Sequence, residues 1–101
     1  MIALNEARFR AANERIERVG RALDEQRIPF LCECGDDRCT RAIVLTLVEY
    51  EEVRAHPARF VVRAGHEFLE AEVVVDAVEG YTIVEKTDRS RRLVEAADPR
   101  A

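Results

Sequence analysis

Phe30-Leu31-Cys32-Glu33-Cys34-Gly35-Asp36-Asp37-Arg38-Cys39 is the stretch on which the reading of this chain turns. It contains all three cysteines of the 101 residues, and the two histidines, His56 and His66, come after it. In an extended segment, residues two apart point to the same side, so Cys32 and Cys34 aim both sulfurs one way and Glu33 is turned away. Gly35 permits a tight reversal, and Asp36 and Asp37 are turn formers, so the chain can bring Cys39 back toward the same point. Three converging thiolates are soft ligands that suit zinc, and a closed structural site needs a fourth ligand.

Two histidines compete for that position. His66 follows a strand-like run and Gly65, so a loop can present its ring to a distant thiol cluster. His56 precedes Pro57 at an expected helix end, where an imidazolium can instead interact with the helix dipole. His66 is favoured; a water in the fourth position would leave the site open. Without a metal, the cysteines would be buried apolar fillers or a redox-active cluster. An iron–sulfur cluster normally takes four cysteines. A disulfide framework is disfavoured by the odd count and by the strain of a Cys32–Cys34 bridge.

Working outward, residues 5–26 read as one amphipathic helix with Asn5 at its N-cap. Phe9, Ala12, Ile16, Val19 and Leu23 recur at spacings of three and four and form the apolar stripe. Glu14 with Arg18, and Glu17 with Arg21, are assigned to the outer face. Gly20 weakens the helix interior but allows close packing. Pro29 ends the segment. Ile28–Cys34 reads as extended and Ala42–Leu47 as a short strand rich in β-branched residues. Thr46-Leu47-Val48-Glu49 has the spacing of a capping box, which starts a second helix carrying Tyr50 and Val53 and ending before Pro57. Phe60-Val61-Val62 is a further strand. Glu72–Ala77 and Tyr81–Glu85 form a hairpin around Val78-Glu79-Gly80, in preference to a helix over 69–78. Residues 1–87 form a single domain, and 88–101 a polar, frayed tail.

The fold expected is α+β: the N-terminal helix packs on a small antiparallel sheet whose strand ends are tied by a zinc knuckle, with a short second helix. Metal binding would add folding free energy to a domain this small.

Charge narrows the function. The net charge is −4, and 36% of residues are charged. The signs are well mixed, which disfavours an electrostatic phosphate-binding surface and hence nucleic acid as partner. Fifteen of the sixteen basic residues are arginine, the bias of a GC-rich bacterial genome. No apolar run reaches membrane-spanning length, and the early acidic residues do not suit a secretory signal, so a cytoplasmic location is expected. There is no Gly-rich phosphate loop, His-Glu-x-x-His or nucleophile elbow, so the chain is not expected to be an enzyme. Glu49, Glu51 and Glu52 read as a solvated helix face, Arg54, Arg59 and Arg63 as surface charges, and Phe30, Phe60, Phe68 and Tyr81 as packing residues.

Taken together, Phe30-Leu31-Cys32-Glu33-Cys34, Cys39, Leu45-Thr46-Leu47, Glu49-Tyr50-Glu51, Arg59-Phe60-Val61-Val62 and Gly65-His66-Glu67 make the chain resemble small uncharacterised proteins of actinobacteria and other GC-rich bacteria. The resemblance spans roughly residues 2–86 and implies a stand-alone bacterial protein with a thiolate and histidine site at Cys32, Cys34, Cys39 and His66. It implies no activity. The function expected from the residues is a small regulatory or adaptor protein with structural zinc, whose partner is another protein and which can pair with itself through the Phe9–Leu23 stripe. A thiol-based redox or metal sensor is the first alternative, and a zinc-dependent nucleic-acid binder the second.

Overall fold

The computed structural model describes residues 2–100. The elements run α1 (Ile2–Ala22), β1 (Arg27–Leu31), β2 (Ala42–Thr46), α2 (Leu47–Arg54), β3 (Arg59–Val62), β4 (Glu72–Val78), β5 (Tyr81–Lys86) and α3 (Asp88–Ala96). The class is α+β, as the sequence predicts, but there are two small antiparallel sheets rather than one. β1 pairs with β2, and the second sheet has the order β3-β5-β4.

The first sheet shows why the sequence was readable there. Arg27 faces Thr46 and Leu31 faces Ala42 in register, and inward positions alternate along both strands. Ile28, Phe30, Ile43 and Leu45 are buried, whereas Pro29 and Val44 face outward. Pro29 is tolerated because a two-stranded sheet has only edge strands. Phe30 stacks on Tyr50 of α2 with ring centroids 4.3 Å apart. Phe30, Leu45, Tyr50 and Phe60 are all fully buried; burying a Leu or Phe side chain contributes about 1.5–3 kcal/mol.

α2 begins where the capping box places it. The Glu49 amide donates to Thr46 Oγ1 at 3.1 Å, and the Thr46 amide donates to Glu49 Oε1 at 2.8 Å. The β4–β5 hairpin also matches. Val78 pairs with Tyr81 across Glu79-Gly80, and Gly80 has φ 98°, which favours glycine in this turn.

α1 is where the reading of the sequence fails. The helix starts before Asn5 and ends at Ala22. Its buried face is Ala3, Glu6, Ala7, Arg10, Asn13, Glu14, Glu17 and Gly20, while Val19 and Leu23 of the expected stripe are 59% and 66% exposed. Asn5 does not cap: its side chain donates to the Gly35 carbonyl at 3.1 Å. The buried set recurs at helical spacing as well, so periodicity alone could not separate the two faces. What decides between them is that each buried polar group meets a partner from elsewhere in the chain. Gly20 faces inward because a Cβ there would stand 2.3 Å from Ile28 Cδ1; α1 lies close on β1 at this point.

The C-terminal segment differs too. Residues 88–96, expected to belong to a polar tail, form α3, and Val94 is buried. Arg10 of α1 donates to the Val94 carbonyl at 2.6 Å and the Pro57 carbonyl at 2.5 Å, with its guanidinium 4.5 Å above the Phe60 ring. Lys86, the only lysine, is fully buried between Glu6 and Glu72, with Nζ 2.7 and 2.9 Å from their carboxylates. Arg54, which the sequence assigns to the surface, is buried.

Candidate metal centre

β1 ends at Leu31, and the chain continues extended through Cys34. The Cys32 amide donates to the Arg41 carbonyl at 3.1 Å, which prolongs the β1–β2 ladder into the thiol segment. The Glu33 amide donates to the Val61 carbonyl at 2.9 Å, which fastens the same segment to β3. The cysteines therefore sit at the seam between the two sheets. After Cys34, Gly35 adopts φ 82° and turns the chain. The Arg38 amide donates to Asp36 Oδ1 at 2.9 Å and the Cys39 amide to the Asp36 carbonyl at 3.0 Å, closing the loop that returns Cys39. From the other side, β3 delivers residues 63–66, with Gly65 at φ 90° and the His66 amide donating to the Arg63 carbonyl at 2.9 Å.

These elements place one ligand atom each from Cys32, Cys34, Cys39 and His66 within 4.8 Å of one another. His66 Nδ1 is 3.6 Å from Cys32 Sγ and 3.7 Å from Cys39 Sγ. A tetrahedral ion with Zn–S near 2.3 Å and Zn–N near 2.05 Å would separate N and S by about 3.6 Å. The donor set can hold a metal ion. His56 is not part of it: it is exposed and lines a groove with Glu52, Arg59, Val75 and Asp76.

The surroundings favour thiolates only in company with a cation. Cys32 and Cys34 are buried, whereas Cys39 and His66 are partly exposed. Burial pushes the Cys32 thiol far above its ordinary value, and the nearby Cys34 sulfur adds to the rise. Burial also raises Cys34. Each of these sulfurs has a backbone N–H working the other way. Arg63 N–H donates to Cys32 Sγ at 3.3 Å, and Asp36 N–H donates to the Cys34 sulfur. Amides aimed at sulfur stabilise negative charge there and orient the ligands. Three neighbouring sulfurs in such a site repel one another as anions, and a divalent ion removes that penalty.

Sequence reasoning missed the supports. Strand alternation turns Glu33 away from the thiols, and it points into the interior, where it is fully buried. Its carboxylate accepts from Asn13 Nδ2 at 2.8 Å and from the Val61 amide at 3.0 Å. Burial pushes Glu33 up to about 7 against those hydrogen bonds. Asn13 also donates to the Leu31 carbonyl at 3.0 Å and accepts from the Leu31 amide at 2.8 Å. One α1 side chain thus fixes the backbone just before Cys32. A carboxylate between two same-side cysteines was the available signal, since alternation sends it to the opposite face, which here is the core. No protein-family model, no curated protein and no solved structure matches the chain.

Phe68, Asp36, Asp37 and Arg38 border the open side of the site together with Gly65, His66 and Glu67. Arg59, Arg91 and Tyr81 do not line it. Arg59 pairs with Glu85 at 3.0 Å, and Arg91 with Glu85 and Glu95. Tyr81 reaches Glu49 at 3.5 Å. Among the described residues no helix is long and apolar enough to cross a membrane.

Proposed function

We propose that this is a small zinc-binding protein in which Cys32, Cys34, Cys39 and His66 hold one structural zinc ion, and whose surface serves a regulatory or adaptor role toward another protein. The observation that carries the zinc reading is the convergence of three sulfurs and one imidazole nitrogen within 4.8 Å. Soft thiolates with a single imidazole select zinc over hard cations such as calcium or magnesium. Four protein ligands make a closed site, which supports a structural use over catalysis. The adaptor reading and the absence of turnover rest on the mixed acidic composition and on the lack of a recognisable catalytic motif.

The test is elemental analysis of purified protein with single ligand variants. One zinc per chain is expected, with His66→Ala releasing it at much lower chelator concentration than His56→Ala. A chain without metal whose stability ignores chelator would refute the zinc reading. A reversed order of the two histidines would refute only the fourth ligand.

A thiol sensor is the second reading, favoured by one observation: Cys39 and His66 are the partly exposed members of the set. A structural site releases no zinc at low peroxide while folded. Rapid release that reductant reverses would put the sensor first.

A further inference from the structure

We infer that two copies of this chain pair through the free edge of β4, antiparallel and two-fold symmetric about Val75, so that two three-stranded sheets become one of six strands. The inference does not rest on the metal reading. It moves self-association from the α1 stripe, where the sequence places it, to β4.

β4 is the longest strand of the chain, at seven residues, and it lies at the end of the β3-β5-β4 sheet. It pairs with β5 along one side. Hydrogen bonding alternates along an antiparallel ladder, so part of its N–H and C=O groups turn to the other side. Among the described residues, no hydrogen bond from outside the β4–β5 pair reaches residues 73–78. The side chains are apolar as well. Val73, Val74, Val75 and Val78 are 48%, 45%, 38% and 40% exposed, and Leu69 just before the strand is 68% exposed. Half of the exposed large apolar side chains among the described residues thus lie in this one stretch. Val73 and Val74 point to opposite faces of the sheet, so the rest of the chain covers neither face of β4. Natural edge strands are blunted by lysine, proline, short length or a bulge, and a long apolar edge left open pairs with another strand. β4 has no lysine or proline. Its bulge lies at Val75, which has no partner in β5.

Charge selects a second copy of the same strand. Glu72 is buried against Lys86, which leaves Asp76 as the one exposed charge in β4. A two-fold pairing sets each residue against its mirror position about one centre. Centred on Val75, the pairing overlaps the whole strand: Val73 meets Ala77, Val74 meets Asp76, and bulge meets bulge. Centred on Asp76 it opposes Asp76 to itself, and centred on Val74 it opposes Asp76 to Glu72. Like charges directly opposite are destabilising. The α1 stripe fails the same comparison. Arg8, Arg15 and Arg18 are exposed on that helix while its acids, Glu6, Glu14 and Glu17, are buried. A second copy docked there meets arginine with no exposed acid of α1 to answer it.

The test is analytical ultracentrifugation of the purified chain from about 1 μM to about 1 mM. A monomer–dimer equilibrium is expected. Val75→Lys sets two ammonium groups at the centre and should weaken the dimer roughly tenfold or more. Val74→Lys, facing the partner's Asp76, should weaken it less. Val19→Lys, on the α1 stripe, should leave it unchanged. All three replace exposed side chains, and circular dichroism checks that each variant is folded. Hydrogen exchange of the unaltered chain decides without any variant: amides within residues 72–78 should gain protection with concentration. A chain that stays monomeric overturns the proposal and leaves the edge to a strand of another protein. A dimer that ignores Val75→Lys, one that Val19→Lys breaks, or unchanged exchange in β4 also overturns it. The reverse order of the two β4 lysine variants overturns the register about Val75.

Discussion

The thiol–imidazole centre and the charged seam between α1, α2 and the C-terminal segment do the same mechanical work with different materials. Each joins stretches far apart in the chain: Cys32 to His66 across 34 positions, and Glu14 to Arg100 across 86. The centre concentrates its contacts at one point, three sulfurs and one imidazole nitrogen within 4.8 Å. The seam spreads them over Arg54, Glu14, Asp98, Arg100, Glu17 and Glu51, part buried and part wet. The comparison teaches that contact count is a poor guide to importance. Arg100 makes more contacts than Arg54, yet Arg54 is the one sealed from solvent, with a side chain 0% exposed against 36% for Arg100.

The largest effect is expected at the centre. Chelation, or Cys34→Ser, should abolish cooperative unfolding, because metal binding in small sites of this type is worth on the order of 10 kcal/mol of folding free energy. Thermal unfolding with and without chelator measures it. If the melting curve is unchanged, the seam alone holds the fold and the comparison collapses.

Arg54→Ala comes next. It strands the carboxylates of Glu14 and Asp98 in a buried setting, and breaking such a pair costs about 3–5 kcal/mol. Denaturant unfolding at fixed zinc reads the loss. A cost under 1 kcal/mol would place Arg54 with the surface charges to which the sequence assigns it.

A third, smaller effect depends on pH. Burial pushes Glu6 up to about 8 from its ordinary 4.5, with Glu72 adding to the rise and Lys86 opposing it. Between those values the folded chain holds a proton that the unfolded chain has lost. The stability this contributes is fully present below pH 4.5 and is lost as pH rises through 8. Over pH 6 to 8.5 that is a change on the order of 2 kcal/mol. Unfolding free energies at pH 6 to 8.5 should fall with pH in the zinc-loaded chain, and Glu6→Gln should flatten that slope. An unchanged slope in the variant would assign the dependence elsewhere.

The smallest effect is Arg100→Ala. Its ion pairs are partly exposed, so the expected cost is under about 1 kcal/mol, shrinking further at high salt. A loss as large as that of Arg54→Ala would make the C-terminal segment a structural staple and remove the contrast between the two residues.

The centre was legible in the sequence because its residue types are scarce. Three cysteines and two histidines leave few combinations, and the alternation of an extended strand plus a Gly-Asp-Asp turn orients them. The capping box at Thr46, the first sheet and the hairpin at Gly80 were legible for a related reason: each is a local pattern, completed within a few residues. The α1 face and the C-terminal segment were not. With charged residues making up 36% of the chain, Glu6, Glu14, Glu17 and Arg54 look like solvent-facing charges until their partners are known. Hydrophobic periodicity assumes that buried means apolar, and α1 breaks that assumption by burying Glu6, Arg10, Asn13, Glu14 and Glu17.

The sequence by itself determined the ligand types, the strand alternation, the helix start at Thr46 and the turns, all set by short-range sterics and hydrogen bonding. Only the tertiary structure decided that His66 and not His56 joins the thiols, that the strands divide into two sheets, that Glu33 turns inward to Asn13, and that Arg54 and Arg100 close the C-terminal segment onto α1. The physical reason is that a buried charge or amide is tolerable only where a partner waits. Here those partners lie tens of residues away, at distances no local pattern in the chain encodes.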